Sequence, residues 1–176
     1  MADEERRRRC DALLHEHRRI VFKVAAVYAR NAADRQDLAQ DIALQVWRSF
    51  ASYDAGRPFS TWLYRVALNV GLSHARRERE KPAMLGADLL DAMEGGTPIA
   101  EPDERLAALA RAIDALEPLE RALALLYLDE VPYAEIAGVL GLSETNVGTR
   151  IARLKQRLRR QMTGTAPDEE TTHGTR

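Results

Sequence analysis

The sequence predicts an all-α chain of two small helical domains joined by a flexible acidic linker, the C-terminal domain being a helix-turn-helix. Three observations carry this. Apolar residues recur at steps of three and four through most of the 176 residues, the spacing of one helix face. Gly and Pro, sparse elsewhere, gather between Pro82 and Pro102, where periodicity lapses, as in a connecting segment. Finally, Gly141 divides two short apolar-striped segments, and a good N-cap, Ser143, follows two residues later. The resulting boundaries are a first domain over 1–81, a linker over 82–101, a second domain over 102–162 and a polar, disordered tail over 163–176.

The first helix is expected over about residues 5–30, its face marked by Cys10, Leu13, Leu14, His17, Ile20, Val21, Val24 and Val27. A turn at "NAAD" precedes a second helix from Arg35 to Phe50. Leu38, Ile42, Val46 and Phe50 repeat every four residues there, and Asp34, Asp37, Gln40, Asp41 and Gln45 form a polar, acidic edge. That edge is either solvated or a docking surface for a basic partner. "SYDAGRP" is a turn cluster. A third helix then starts with Ser60 as N-cap and Phe59 placed to staple onto Tyr64. One side of it carries Leu63, Val66, Ala67, Val70 and His74; about a quarter turn away stand Trp62, Arg65, Asn69, Ser73 and Arg76. An aromatic, an amide and cations in one row are what a single-stranded nucleic acid needs for stacking, base-edge bonding and phosphate neutralisation. Trp62 taken alone fits the core equally well.

The linker holds Pro82, Gly95-Gly96, Pro98 and Pro102, with room for a helical turn at Leu89–Met93. Helices resume at Leu106, Leu109, Ala110, Ile113 and Leu116, and Pro118 opens another with Leu119, Ala122, Leu123 and Leu126. Tyr133, Ile136, Ala137 and Leu140 stripe the first helix of the final pair; Val147, Ile151, Leu154 and Leu158 stripe the second. Glu144, Asn146, Thr149, Arg150, Arg153 and Arg157 point away from that stripe, as the reading face of a DNA-binding helix would. An ordinary helical hairpin with a solvated charged face is the alternative.

Net charge is −1, but its distribution is uneven. Residues 56–81 carry six bases against Glu78 and Glu80; residues 82–104 carry six acids and no base; residues 131–162 carry six bases against Glu135 and Glu144. Two basic surfaces flank an acidic strip, a pattern expected of a nucleic-acid-binding protein. No apolar run has the length of a membrane span, and "MADEERRRRC" lacks the apolar stretch of a signal peptide. The one cysteine, Cys10, forms no internal disulfide, which suits a reducing cytoplasm. His15 and His17 have no suitably spaced metal-ligand partners, so no metal and no cofactor is expected. No nucleophile with a base, metal cluster or phosphate loop points to an enzyme.

Taken together, "DRQDLAQDIALQVWRSFASYD", "FSTWLYRVALNV" and "LEPLERALALLYLDEVPYAEIAGVLGLSETNVGTRIARLKQRL" resemble the extracytoplasmic-function (ECF) sigma factors, compact specificity subunits of bacterial RNA polymerase. The resemblance runs from about Leu13 to Arg160. It implies that Asp34, Asp37, Gln40 and Asp41 grip the clamp helices of the polymerase. It places Arg57, Phe59, Ser60, Thr61, Trp62, Arg65 and Asn69 around flipped bases of the melted minus-ten strand, with Arg76, Arg77 and Arg79 on nearby phosphates. It assigns the minus-thirty-five duplex to Ser143, Glu144, Thr145, Asn146, Thr149, Arg150, Arg153 and Lys155. The linker would thread towards the polymerase active-site and RNA-exit channels, its acidic strip mimicking nucleic acid. The partners implied are core RNA polymerase and promoter DNA, duplex and melted, with an anti-sigma factor left open and no membrane insertion.

The chain departs from the family pattern at Gln36 and Asp41, where glutamates are usual, and at Gly148, where a base is common. Gly148 also costs its helix up to ~1 kcal/mol relative to Ala. The competing expectation is a stand-alone dimeric helix-turn-helix regulator, which needs a symmetric interface; no spare amphipathic helix is evident for one.

Overall fold

The computed structural model describes residues 2–80, 112–113 and 115–163. The chain is all-α: α1 (Ala2–Glu16), α2 (Arg18–Tyr28), α3 (Ala32–Ser49), a 3-10 turn (Phe50–Ser52), α4 (Phe59–Glu80), α5 (Pro118–Leu128), α6 (Tyr133–Leu140) and α7 (Glu144–Thr163). The expected linker over 82–101, the helical segment at Leu106–Ala110 and the tail beyond Thr163 lie outside the described residues.

The long first helix of the sequence analysis is two helices. They break at His17, whose backbone (φ −100°, ψ 15°) leaves the helical region. The break turns the His17 ring onto Phe59, 5.4 Å between centroids. α3 begins three residues earlier than expected because Asn31, not the acidic residues beyond it, is the cap: its Oδ1 accepts from the Asp34 amide at 2.8 Å. Ser60 is not an N-cap, since Phe59 is already helical. Phe59 does not staple to Tyr64 either; its ring belongs to a cluster with Phe50, Tyr53 and Trp62.

In the N-terminal half, Val24, Leu38, Ile42, Val46, Leu63 and Leu68 close the space between α2, α3 and α4. In the C-terminal half, Leu123, Leu126, Ile136, Val147 and Ile151 do the same for α5, α6 and α7. Burying one such side chain contributes about 1.5–3 kcal/mol. Both sets belong to a single hydrophobic cluster. The two halves therefore pack directly against each other, which separate domains on a flexible linker did not predict.

One glycine within the N-terminal half seats a side chain that reaches the seam. A Cβ at Gly71 would lie 2.5 Å from the Tyr28 ring, so only Gly lets α4 approach α2 this closely. The seated ring carries its hydroxyl across the seam, where it donates to the Pro118 carbonyl at 2.8 Å. Burial pushes the Tyr28 phenol well above its ordinary pKa, with the Arg121 charge opposing part of the rise. Arg121 donates to the Val27 carbonyl at 3.3 Å and to Leu116 at 3.0 Å, tying the end of α2 to the entry of α5. Asp129, at the end of α5, accepts from both Lys23 and Tyr64.

Candidate nucleic-acid and polymerase interfaces

The helix-turn-helix forms as its local signals require. Gly141 takes the left-handed conformation (φ 68°, ψ 34°), and Leu142 reaches back to the Ala137 carbonyl at 3.0 Å. The Ser143 hydroxyl accepts from the Asn146 amide at 3.2 Å, so the expected cap is made. Val147, Ile151 and Leu154 then face the core. Ser143, Glu144, Thr145, Asn146, Thr149, Arg150 and Arg153 are exposed. Arg150 donates through Nε to Asn146 Oδ1 at 2.7 Å, which aligns an amide and a guanidinium on one edge. Such a pair suits bidentate reading of adenine and guanine.

Lys155 belongs elsewhere. Its ammonium sits 5.3 Å over the Tyr127 ring and 3.3 Å from the phenol oxygen, tying α7 to α5 rather than extending the reading edge. Arg157, though exposed, is likewise engaged in a bidentate pair with Glu120, at 2.5 and 2.8 Å. Burial alone would raise the Glu120 carboxyl, but the Arg157 bonds, the Glu117 amide and the charges of Arg157 and Arg150 bring it below the ordinary carboxylate value.

Most of the residues expected to hold a single strand lie along a groove of about 1010 Å³ beside α4. Arg57, Thr61, Trp62, Arg65, Asn69 and Arg77 line it, so the 57–61 loop and Asn69 do share one surface. Phe59 is 5% exposed and supports this wall from beneath; it has no face to offer a base. Ser60 and Arg76 are not on the groove wall. Arg79 spends its guanidinium on Glu117, at 2.7 Å. Trp62 satisfies both readings: it packs edge-on to Phe50 and also faces the groove.

Tyr53 is a groove residue that sequence reasoning passed over. Its hydroxyl donates to the Arg57 carbonyl at 2.9 Å and so shapes the loop. Asp54 Oδ1 accepts from the Gly56 amide at 2.9 Å within the same turn. The signal was present in "SYDAGRP", which reads as a turn but whose tyrosine has no role until the turn is folded.

On α3, Asp37, Gln40 and Asp41 are exposed on one face, whereas Asp34 is held by the Asn31 amide at 2.9 Å in the helix cap. Leu44 and Trp47 continue that face, 46% and 47% exposed. Leu44 stands four residues from Gln40 and three from Asp41, and Trp47 three from Leu44, a continuation the sequence reading did not draw. Arg7 covers Trp47 at 5.6 Å. Cys10 is buried, with its thiol pKa raised by burial and then by the Asp11 charge, so it is poorly suited to act as a thiolate.

An exposed acidic face on α3, a groove lined by aromatic, amide and cationic groups, and an exposed second helix of a helix-turn-helix suit a nucleic-acid-binding protein. Residues 13–81 match the Sigma-70 region 2 family and residues 106–158 the Sigma-70 region 4 family. The chain is 34% identical over 155 residues to the ECF RNA polymerase sigma factor SigE of Mycolicibacterium smegmatis, covering 85% of this chain and 60% of SigE. It is 30% identical over 152 residues to SigM of Mycobacterium tuberculosis, covering 85% and 75%. In structure it resembles the sigma factor RpoE of Bartonella quintana, solved in complex with the anti-sigma factor NepR. The TM-score is 0.67 at 18% identity, over 89% of this chain and 98% of that one. The chain belongs to the ECF sigma factors of the sigma-70 family.

Proposed function

We propose that the chain directs core RNA polymerase to specific promoters and promotes DNA melting at initiation, as a non-enzymatic cytoplasmic subunit. The observation that supports this is the presence of two unlike surfaces on one chain, an exposed helix-turn-helix face and a groove along α4. The recognition helix is exposed and suits a duplex major groove. The α4 groove offers stacking and hydrogen-bonding groups that suit unstacked bases. A stand-alone dimeric regulator needs only the first of these, and both halves of the chain match sigma-70 regions.

In this reading Asp37, Gln40 and Asp41 dock on the polymerase clamp, and exposed Leu44 and Trp47 extend the contact with apolar area. Thr61, Trp62, Arg65 and Asn69 hold a flipped minus-ten base, with Arg57 and Arg77 on its phosphates. Asn146, Arg150 and Arg153 read the minus-thirty-five element. The units at 1–81 and 102–162 carry the two tasks, and an anti-sigma factor is the inhibitory partner to look for. Among the described residues no helix is long and apolar enough to cross a membrane.

The test is co-purification with core polymerase. Asp37→Arg with Asp41→Arg should abolish capture of the core enzyme while helicity and melting temperature stay nearly unchanged, because both carboxylates are solvent-exposed. Undiminished capture by the double variant removes this face from the docking site; no capture by the wild type removes the sigma reading itself.

A further inference from the structure

The turn that enters α4 is tied to a fixed point. The Tyr53 ring lies against three others, its centroid 5.2 Å from that of Phe59, 5.4 Å from Trp62 and 5.7 Å from Phe50. Phe50 and Phe59 are buried, and the Tyr53 amide donates to the Phe50 carbonyl at 3.1 Å, so the phenol has little freedom to move. Asp54 closes the turn that follows. Its carbonyl accepts from the Arg57 amide at 3.0 Å, and its side chain accepts from the Gly56 amide at 2.9 Å. Those two bonds shape the turn but do not decide where it sits. The chain leaves it through Arg57-Pro58, and Pro58 has no amide to donate. The Tyr53 hydroxyl supplies a tie to the aromatic cluster by donating to the Arg57 carbonyl at 2.9 Å.

The groove beside this turn therefore has sides of unlike stiffness. Arg65 and Asn69 are placed by the helix that carries them, whereas Asp54, Arg57 and Pro58 line the groove from the turn. Hydrogen bonds to a base edge need donor and acceptor at ~2.7–3.2 Å and weaken steeply when misaligned. Stacking accepts every base, and phosphate contacts carry no sequence information. A turn that drifts outward widens the groove, and a base is no longer held in one position against Asn69. Such a site loses discrimination between bases before it loses its grip on the strand.

We propose that Tyr53 is a positioning residue for base selection: its hydroxyl holds the 54–57 turn against α4 and so sets how sharply the groove tells one unstacked base from another. This rests on the reading of the α4 groove as the single-strand site. Tyr53 acts through the turn, because its one hydroxyl hydrogen is engaged by the Arg57 carbonyl. Its contribution is pre-organisation: the turn is ordered before the strand arrives, and binding does not have to order it.

The test compares holoenzymes assembled from core polymerase and the full chain, either wild type or Tyr53→Phe, a change that keeps the ring and removes the hydroxyl. A randomised single-strand library is partitioned on each and sequenced, with core polymerase alone as background, and total binding is followed by anisotropy over a salt series. The expected result is a roughly two- to tenfold compression of the strongest base preference, the range for one lost hydrogen bond. Total binding, its salt slope, core capture and Tm should stay near wild type. Tyr53→para-aminophenylalanine, whose N–H can donate to the same carbonyl, should restore the preference. In the free full-length Tyr53→Phe chain, the amide order parameters of Gly56 and Arg57 should fall while those of α4 hold. Undiminished preference in Tyr53→Phe, or no recovery with the amino group, overturns the proposal. Lost preference with an unchanged turn does so too, since it marks a direct contact to the base, as does uniform weakening with a lower Tm, which marks a purely structural role. Failure of the groove reading shows separately: the wild-type holoenzyme then enriches no base at any position, and the proposal falls with it.

Discussion

Replacing Gly71 by Ala tests the close packing of α4 on α2 in the N-terminal half. The new Cβ would lie 2.5, 2.9 and 3.1 Å from three atoms of the Tyr28 ring, against about 3.5–4.0 Å for a relaxed carbon contact. The ring cannot simply swing away. It is 5% exposed, and its hydroxyl is pinned to the Pro118 carbonyl at 2.8 Å. Overpacking of this kind costs about 1–3 kcal/mol, and pulling the phenol from Pro118 costs roughly 0.5–1.5 kcal/mol more. The gain from Ala over Gly inside a helix offsets ~1 kcal/mol. The net expectation is a loss of about 0.5–3.5 kcal/mol, read from urea unfolding with the slope checked for two-state behaviour. For a chain of this size that is a fall in Tm of roughly 2–4 °C per kcal/mol. Tyr28→Phe separates the two costs, since it removes the hydroxyl and leaves the ring on Gly71. If Gly71→Ala equals or exceeds the wild type in stability, α2 and α4 do not approach as described.

Gly148→Ala should act in the opposite direction: its Cβ meets nothing nearer than Tyr133 at 3.8 Å, so the helix gains up to ~1 kcal/mol, visible as a higher Tm with promoter selection unchanged. The Glu120–Arg157 pair makes stability pH-dependent. A carboxyl lowered from 4.5 by folding contributes stability that is fully present above that value and lost as pH falls through the folded one. Glu120→Gln should thus lower Tm at neutral pH, by up to about 1 kcal/mol of stability, and the difference from wild type should vanish on acidification; a difference that persists in acid refutes the pairing. Arg150→Ala removes both the guanidinium and its bond to Asn146. It should cost about 1–3 kcal/mol of discrimination at one base pair, measured as transcription from a cognate promoter at constant core binding. Equal loss on promoters with scrambled minus-thirty-five sequence would mean a phosphate contact instead.

The helices and the turn between α6 and α7 were legible because their causes are local. Val147, Ile151 and Leu154 lie on one face by helical spacing alone, and Ser143 and Gly141 act on the residues next to them. The acidic face of α3 and the row from Trp62 to Asn69 were legible for the same reason: side-chain direction on a helix follows from position. Where a neighbour distant in the chain decides, the sequence misled. His17 breaks a helix its own periodicity would continue, and the broken turn seats its ring on Phe59. Phe59 looked available to a base and is buried in an aromatic cluster. Lys155 and Arg79, counted towards DNA, are held by Tyr127 and Glu117. Charge runs tell how many cations a segment holds, but long flexible side chains choose among partners only when the fold brings those partners near. The largest difference is the seam, where Asp129 between Lys23 and Tyr64 joins residues 106 and 65 positions apart, as only tertiary packing can; Gly71 under Tyr28 does the same within the N-terminal half.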